Sequence, residues 1–324
     1  MANPAESRSP VLSKMWSLFD LIVEVVLFTV DVIRVFVLGL PTLFQRAFRM
    51  VFPNELKNVA GQLVLITGGA GGLGREMALK LADRGCNIII VDVNLKLAEQ
   101  TCEELKREKN VSAYAYKVDV SSYDEVQSLM DTVYRKIGPI DILINNAGLI
   151  HFTFLQDSTV EDIHRLIDVN VKGYIWTTKV VLEKMMERKR GHIVAISSLS
   201  GVHAFPWAVV YSTSKFAVNG FMAAVTEQLR LQGYGDQIQT TCVCPYYIAT
   251  RKDIVEFLQK PRFKLLSTTY TARTAVEGIL RNESFVSVPP MFDLGLKIMH
   301  LFPLKVQQLV RDIIMKEYEL HSSL

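Results

Sequence analysis

The chain has 324 residues, 49% hydrophobic and 21% charged, with 36 Lys+Arg against 33 Asp+Glu for a net charge of +3. That balance excludes a disordered chain, and no basic block is dense enough to track a phosphate backbone, so nucleic acid is not an expected partner. Cys86, Cys102, Cys242 and Cys244 have neither the density of a secreted disulfide framework nor the spacing of a zinc ribbon, which points to a reducing compartment.

The mean hydropathy of +0.21 is high for an enzyme, and most of the surplus lies between Trp16 and Phe48. In that run Asp20, Glu24, Asp31 and Arg34 fall within a stripe of about 80° at helical periodicity, leaving the rest of the circumference apolar. Pro41, two residues after Gly39, is expected to bend or end this helix, with Arg46 and Arg49 at a headgroup boundary. Residues 1–51 therefore read as a retained membrane anchor, interfacial or hairpin-like first, with a true span as the alternative. Residues 52–61, with Pro, two Asn and Gly, read as a linker to a separate body.

A strand at 62–67, a glycine turn, a helix at 72–84 and a strand at 88–92 then form a βαβ unit whose apolar strands suit a parallel sheet buried on both faces. Gly68, Gly69, Gly71, Gly72 and Gly74 stand where backbone N–H groups and a helix amino end can face a pyrophosphate. Asp92 ends the next strand, where a carboxylate accepts from a ribose diol and repels a 2′-phosphate. With no Arg or Lys at 71 or 93, NAD is preferred over NADP.

The rhythm continues with strands at 112–120, 139–148, 191–200 and 237–250, separated by helices near 122–137, 159–188 and 208–232. A helix in TARTAVEGILRN and a strand at 284–289 complete a mostly parallel seven-stranded sheet in one doubly wound α/β domain, residues 62–290, followed by an amphipathic extension at 291–324.

Tyr211 and Lys215 are four apart at the start of a predicted helix, so both side chains emerge on one face. A nearby ammonium favours a phenolate able to exchange a proton with an alcohol or carbonyl oxygen. Alone, the pair reads more often as a surface contact. Ser198 ends a predicted strand where it could bind a substrate oxygen, although Ser197 and Ser200 are equally eligible locally. Asn170, in an otherwise apolar helical run, is either a structural hydrogen bonder or a holder of ordered water. His164, His192, His300 and His321 form no metal-ligand pattern.

TGGAGGLG at 67–74, NNAG at 145–148 and the order Ser198, Tyr211, Lys215 together resemble the short-chain dehydrogenase/reductase family over about residues 60–290. The resemblance implies a Rossmann-like fold and a catalytic set of Asn170, Ser198, Tyr211 and Lys215. It also implies cofactor contacts at Gly68, Gly72, Leu73, Gly74, Asp92, Asp119, Val120, Asn146, Tyr211, Lys215, Ile248 and Thr250. Tyr246 departs from the family's glycine after Pro245, which bears on the substrate entrance.

The two apolar ends and CPYYIAT resemble the branch of retinol and lipid-droplet 17-beta-hydroxysteroid dehydrogenases. That likeness implies a membrane-associated, NAD-dependent enzyme interconverting a lipophilic alcohol and its carbonyl, all-trans-retinol to retinal first and a 17-beta-hydroxysteroid as the alternative. An NAD-binding membrane scaffold is the non-enzymatic alternative. The same likeness implies a homodimer at the endoplasmic reticulum membrane or lipid droplet with a cytosolic catalytic domain. Phe152, Phe154, His203, Phe205 and Trp207 are candidates for the substrate entrance, at least half of them expected to pack instead.

Overall fold

The computed structural model describes residues 10–249 and 265–315. The chain divides into two units, residues 1–55 and 56–324.

The first unit is the helix α1, Pro10–Val51. It neither ends nor breaks at Pro41: the helix runs through it, and Thr42 Oγ1 donates to the Gly39 carbonyl at 2.7 Å beside the lost amide. The expected membrane anchor is corrected. Among the described residues no helix is long and apolar enough to cross a membrane. In α1 the longest stretch free of charge between Asp20 and Arg49 is the run 35–45, well short of the roughly 20 apolar residues a span requires. Each ionised group at mid-bilayer adds about 2.5–3.5 kcal/mol. The membrane-associated helix, the membrane or lipid-droplet partner surface and the endoplasmic reticulum or droplet location are corrected with it.

The second unit is built from strands β1 Leu63–Thr67, β2 Asn87–Asp92, β3 Ala113–Lys117, β4 Ile142–Asn145, β5 Gly191–Ile196, β6 Ile238–Pro245 and β7 Phe285–Val288. All pair in parallel, in the order β3-β2-β1-β4-β5-β6-β7, which bears out the seven-stranded doubly wound sheet. The intervening helices are α2 Gly72–Ala82, α3 Leu95–Lys109, α4 Tyr123–Lys136, α5 Val160–Ile167, α6 Gly173–Arg188, α7 Val209–Leu231 and α8 Thr268–Leu280. Short helices α9, Phe292–Met299, and α10, Leu304–Met315, follow β7.

Strand residues alternate between two cores. Val64, Ile66, Ile88 and Ile90 pack with Met77, Leu81, Leu105 and Ile279 from α2, α3 and α8. Leu65, Ile89, Leu143 and Ile193 pack with Met130, Val133, Val181 and Val225 from α4, α6 and α7. Both faces are therefore covered, as the unbroken apolar runs require, and each fully buried aliphatic side chain contributes roughly 1.5–3 kcal/mol.

Two boundaries differ from expectation. The single helix anticipated at 159–188 is interrupted by a π-helical turn, Asp168–Lys172, between α5 and α6. The linker at 52–61 is only partly a linker, because Val59 is in the core and Lys57 N–H donates to the Leu280 carbonyl at 2.9 Å. Lys57 Nζ lies 2.7 Å from His192 Nδ1 and donates to Asn282 Oδ1 at 2.8 Å, while His192 Nε2 lies 2.8 Å from Thr241 Oγ1. Thr241 spends its own hydrogen on the Glu283 carbonyl at 2.7 Å. His192 must therefore carry its proton on Nε2 and accept from Lys57 at Nδ1.

Candidate active site

The sheet's strand order reverses between β1 and β4, and the functional candidates gather at the carboxyl ends there, where open α/β sheets bind ligands. The glycine loop follows β1. Gly68 has φ +59, and a Cβ on it would stand 2.8 Å from Ala147 Cα; a Cβ on Gly74 would stand 2.3 Å from the Gly68 carbonyl oxygen. Both positions exclude any side chain, so the backbone of the loop lies against the β4 end and opens α2 toward the crevice. Asn146 fastens this arrangement, its Nδ2 donating to the carbonyls of Thr67 at 3.0 Å and Gly68 at 2.9 Å. Thr67 Oγ1 accepts from the N–H groups of Asn146 and Ala147, both at 3.0 Å.

Asp92 ends β2 beside this loop. Its Oδ2 accepts from Ala70 N–H at 3.2 Å and its Oδ1 from Asn94 N–H at 3.0 Å, which fixes the carboxylate at the loop's edge. Gly72 is the first residue of α2, with φ +54, and Leu73 is buried in the core. Asp119 is exposed and accepts from the N–H and Oγ of Ser121 at 2.9 and 2.7 Å. Val120 is buried, and a Cβ on Gly173 would come 2.8 Å from its Cγ2. Ile248 forms an isolated bridge with Leu266 and lines a cavity with Ser198, Tyr211 and Lys215. Thr250 lies outside the described residues. The side-chain-free cradle, the helix amino end and the anchored carboxylate fit a dinucleotide.

Ser198, Tyr211 and Lys215 converge on one cavity, also lined by Asn146, Gly148 and Leu149. Ser198 follows β5 in extended conformation (φ −165, ψ 160), and its Oγ accepts from Ser200 N–H at 3.1 Å. All three serines line this cavity, but Ser197 and Ser200 are buried and Ser197 Oγ donates to the Lys215 carbonyl at 3.1 Å, whereas Ser198 is only partly covered.

Lys215 Nζ donates to the Ile196 carbonyl at 2.9 Å and stands 5.7 Å from the Tyr211 ring centroid. Burial pulls the Lys215 ammonium down to about 8. Burial pushes the Tyr211 phenol up to about 12, a rise partly offset by hydrogen bonding with Ser198. Loss of solvent is the dominant influence on the phenol in this arrangement.

Asn170 lies in the π-helical turn, fully buried. Its Oδ1 accepts from Leu149 N–H at 2.7 Å, and its Nδ2 donates to the Leu149 carbonyl at 2.9 Å and to Ser214 Oγ at 3.0 Å. Both amide hydrogens are thus committed to holding the loop after β4 against α7.

Sequence reasoning missed Tyr174, whose hydroxyl donates to the same Ile196 carbonyl at 2.8 Å and whose ring centroid is 5.4 Å from Lys215 Nζ. A tyrosine on a helix face carries no local signal for that contact. The anticipated aromatic entrance is also redrawn: His203 and Trp207 are buried, and the apolar cavity wall is Leu149, Ile150, Tyr246, Tyr247 and Ile248. Phe152 and Phe205 pack on Tyr247, at 6.5 and 5.5 Å between ring centroids. Tyr246 packs on Tyr247 at 4.8 Å and on Phe292 of α9 at 5.3 Å. Among the described residues no cluster of metal-ligating side chains occurs.

Residues 62–259 match the model of the short chain dehydrogenase family. The chain is 32% identical to human (Homo sapiens) 17-beta-hydroxysteroid dehydrogenase 13 over 287 residues, 88% of this chain and 91% of that protein. It is 33% identical to human epidermal retinol dehydrogenase 2 over 275 residues, 84% of this chain and 89% of that one. Among solved structures, NAD+-bound xylitol dehydrogenase aligns with a TM-score of 0.62 at 27% identity, covering 72% of this chain and 99% of that one. A short-chain dehydrogenase from Burkholderia phymatum in complex with NAD shares the fold with a TM-score of 0.68 at 23% identity, over 81% and 97% of the two chains. The chain belongs to the short-chain dehydrogenase family, NAD(P)-dependent oxidoreductases acting on alcohol and carbonyl groups.

Proposed function

We propose that this protein is an NAD-dependent oxidoreductase that interconverts an apolar alcohol and its carbonyl at the cavity holding Ser198, Tyr211 and Lys215. The convergence of those three side chains on one cavity beside the glycine cradle carries this reading. Gly68, Gly72 and Gly74 give the pyrophosphate room and Asn146 holds their loop, while Asp92 accepts from the adenosine ribose diol; its carboxylate favours NAD over a 2′-phosphorylated cofactor. Nicotinamide, when bound, supplies hydride transfer.

The chain's own side chains handle the substrate oxygen. Ser198 donates to it and stabilises developing charge. Tyr211 removes the hydroxyl proton in oxidation and returns it in reduction. Lys215 supplies the nearby ammonium, and Asn170 holds the loop after β4 that completes the cavity. The wall of Leu149, Ile150, Tyr246, Tyr247 and Ile248 favours an apolar body around the reacting carbon. That preference agrees with the steroid and retinol names of the similar proteins.

The test is NADH formation from NAD with cyclohexanol, decanol and tetralol as a panel of increasing apolar area, in parallel with Tyr211→Phe. Product from the unmodified chain that falls by about 10²-fold or more in Tyr211→Phe, with NADH binding retained, is the expected result. No Tyr211-dependent product across the panel overturns the proposal.

A further inference from the structure

Ser198 and the Tyr211–Lys215 pair sit on different elements, the turn after β5 and the helix α7, so their separation depends on whatever ties that turn to that helix. One tie is already described: Ser197 Oγ donates to the Lys215 carbonyl. The other is made by Asn219, one helical turn beyond Lys215. Its Nδ2 donates to the Gly201 carbonyl at 2.8 Å. Gly201 closes the 3₁₀ turn that Ser198 begins, its own N–H donating to the Ser198 carbonyl at 2.9 Å. The two ties therefore bracket Ser198 on either side.

The turn is pressed onto the helix at that point. A Cβ on Gly201 would stand 2.5 Å from the Lys215 carbonyl oxygen and 2.9 Å from Asn219 Nδ2. Nothing larger than glycine fits between them.

The other end of the Asn219 amide faces β6. Cys242 and Cys244, two residues apart and hence on one face of the strand, are both buried. Their Sγ atoms lie 3.2 and 3.6 Å from Asn219 Oδ1, where each thiol can donate. A carbonyl on one side can only accept and the thiols on the other are donors, so the amide has a single satisfactory orientation. The closely spaced cysteines, which suit neither a disulfide framework nor a metal, thereby acquire a use: they hold Asn219 at an angle that keeps its N–H aimed at Gly201.

We propose that Asn219 is a positioning residue for the reaction, setting through its side-chain amide where Ser198 stands relative to Tyr211 and Lys215. The inference rests on the catalytic reading of those three residues. A misplacement of about 1 Å in a reacting constellation costs on the order of 10²-fold in rate, so a small slip of the turn is enough to register.

Asn219→Asp preserves shape and the acceptor for the thiols but sets an oxygen against the Gly201 carbonyl. Asn219→Ala removes the amide without adding charge and carries the test if the aspartate variant does not fold. With tetralol and NAD, kcat should fall about 10- to 100-fold in either variant. NADH affinity should stay within about twofold, and the limb of the kcat–pH profile set by Tyr211 should shift. A crystal structure of the variant should show Ser198 Oγ displaced from Tyr211 Oη. Unchanged kcat and pH profile in a folded variant, an undisplaced Ser198, or a rate loss matched by lost NADH binding overturns the proposal. Tyr211→Phe separates the two readings. If it is inactive while the Asn219 variants behave as the unmodified chain, only the positioning role falls; if it stays active, both fall.

Discussion

Lys215 and Ile196 are joined by a hydrogen bond of 2.9 Å from the lysine Nζ to the backbone carbonyl at the end of β5. The Tyr174 hydroxyl donates to the same oxygen, so one carbonyl holds the lysine at the floor of the cavity. Lys215→Met should fill the space without the ammonium. The expected loss in kcat is about 10²-fold, with weaker NADH binding, measured by steady-state oxidation of tetralol and by NADH titration. Tyr174→Phe frees half of that carbonyl's capacity and should lower kcat by a smaller factor.

Asp92 should govern cofactor choice. Hydrogen bonds to a charged group contribute about 1.5–3 kcal/mol, so Asp92→Ser should raise the Kd for NAD about 10-fold or more and narrow its preference over NADP. The same change deprives Ala70 N–H of its acceptor, which loosens the loop. Parallel titrations with both cofactors check the expectation, and unchanged discrimination would contradict it.

Gly74→Ala should be far more damaging than its single carbon suggests. The added Cβ meets backbone 2.3 Å away at Gly68 and 2.9 Å away at Gly69, so the glycine loop itself must move. A loss of about 1–3 kcal/mol is expected from overpacking, together with a loss of NADH binding, read by thermal unfolding and fluorescence titration.

Stability should climb as pH rises from 8 to 9. Burial lowers both Lys57 and Lys215 from 10.5 to about 8, so above pH 8 the unfolded chain binds more protons than the folded one and alkali favours folding. Above pH 9 the effect is countered, because burial raises Cys86 and Cys102 from 9.0 to about 12 and about 11. The unfolded chain then sheds those protons first. Above pH 10, Tyr134 and Tyr211, raised by burial from 10.0 to about 12, add to the decline. Urea unfolding at fixed ionic strength should trace the rise, and Lys57→Met should flatten it.

What the amino-acid sequence reveals here follows the range of the interactions. The apolar runs of β1, β2 and β5 and the glycines after β1 are local signals, and the parallel sheet and the glycine turn emerge from them, whereas the strand order depends on pairings that no local pattern marks. Ser198 differs from Ser197 only once the α7 backbone is in place to claim the Ser197 hydroxyl, a contact with no local signal. The π-helical turn at Asp168–Lys172 leaves the helical periodicity around it nearly unchanged, so the run 159–188 reads as one helix. Asn219, Tyr174 and the Lys57–His192 contact join residues 18 or more apart in the chain, and no local pattern marks such pairs. The apolar run in α1 and the charges Asp20, Glu24, Asp31 and Arg34 that interrupt it are equally local signals, yet among the described residues no helix is long and apolar enough to cross a membrane.

The Lys57–His192 contact also determines where the catalytic body can be cut. A chain shortened to residue 62, where the family match begins, would delete the only donor that His192 Nδ1 has among the described contacts and strip Val59 from the core. An unsatisfied buried acceptor costs about 1–3 kcal/mol, which is a large share of a domain's stability. A chain beginning at Leu56 keeps both, so the smallest robust fragment is set by proton bookkeeping at the amino end of the sheet rather than by the limits of family likeness.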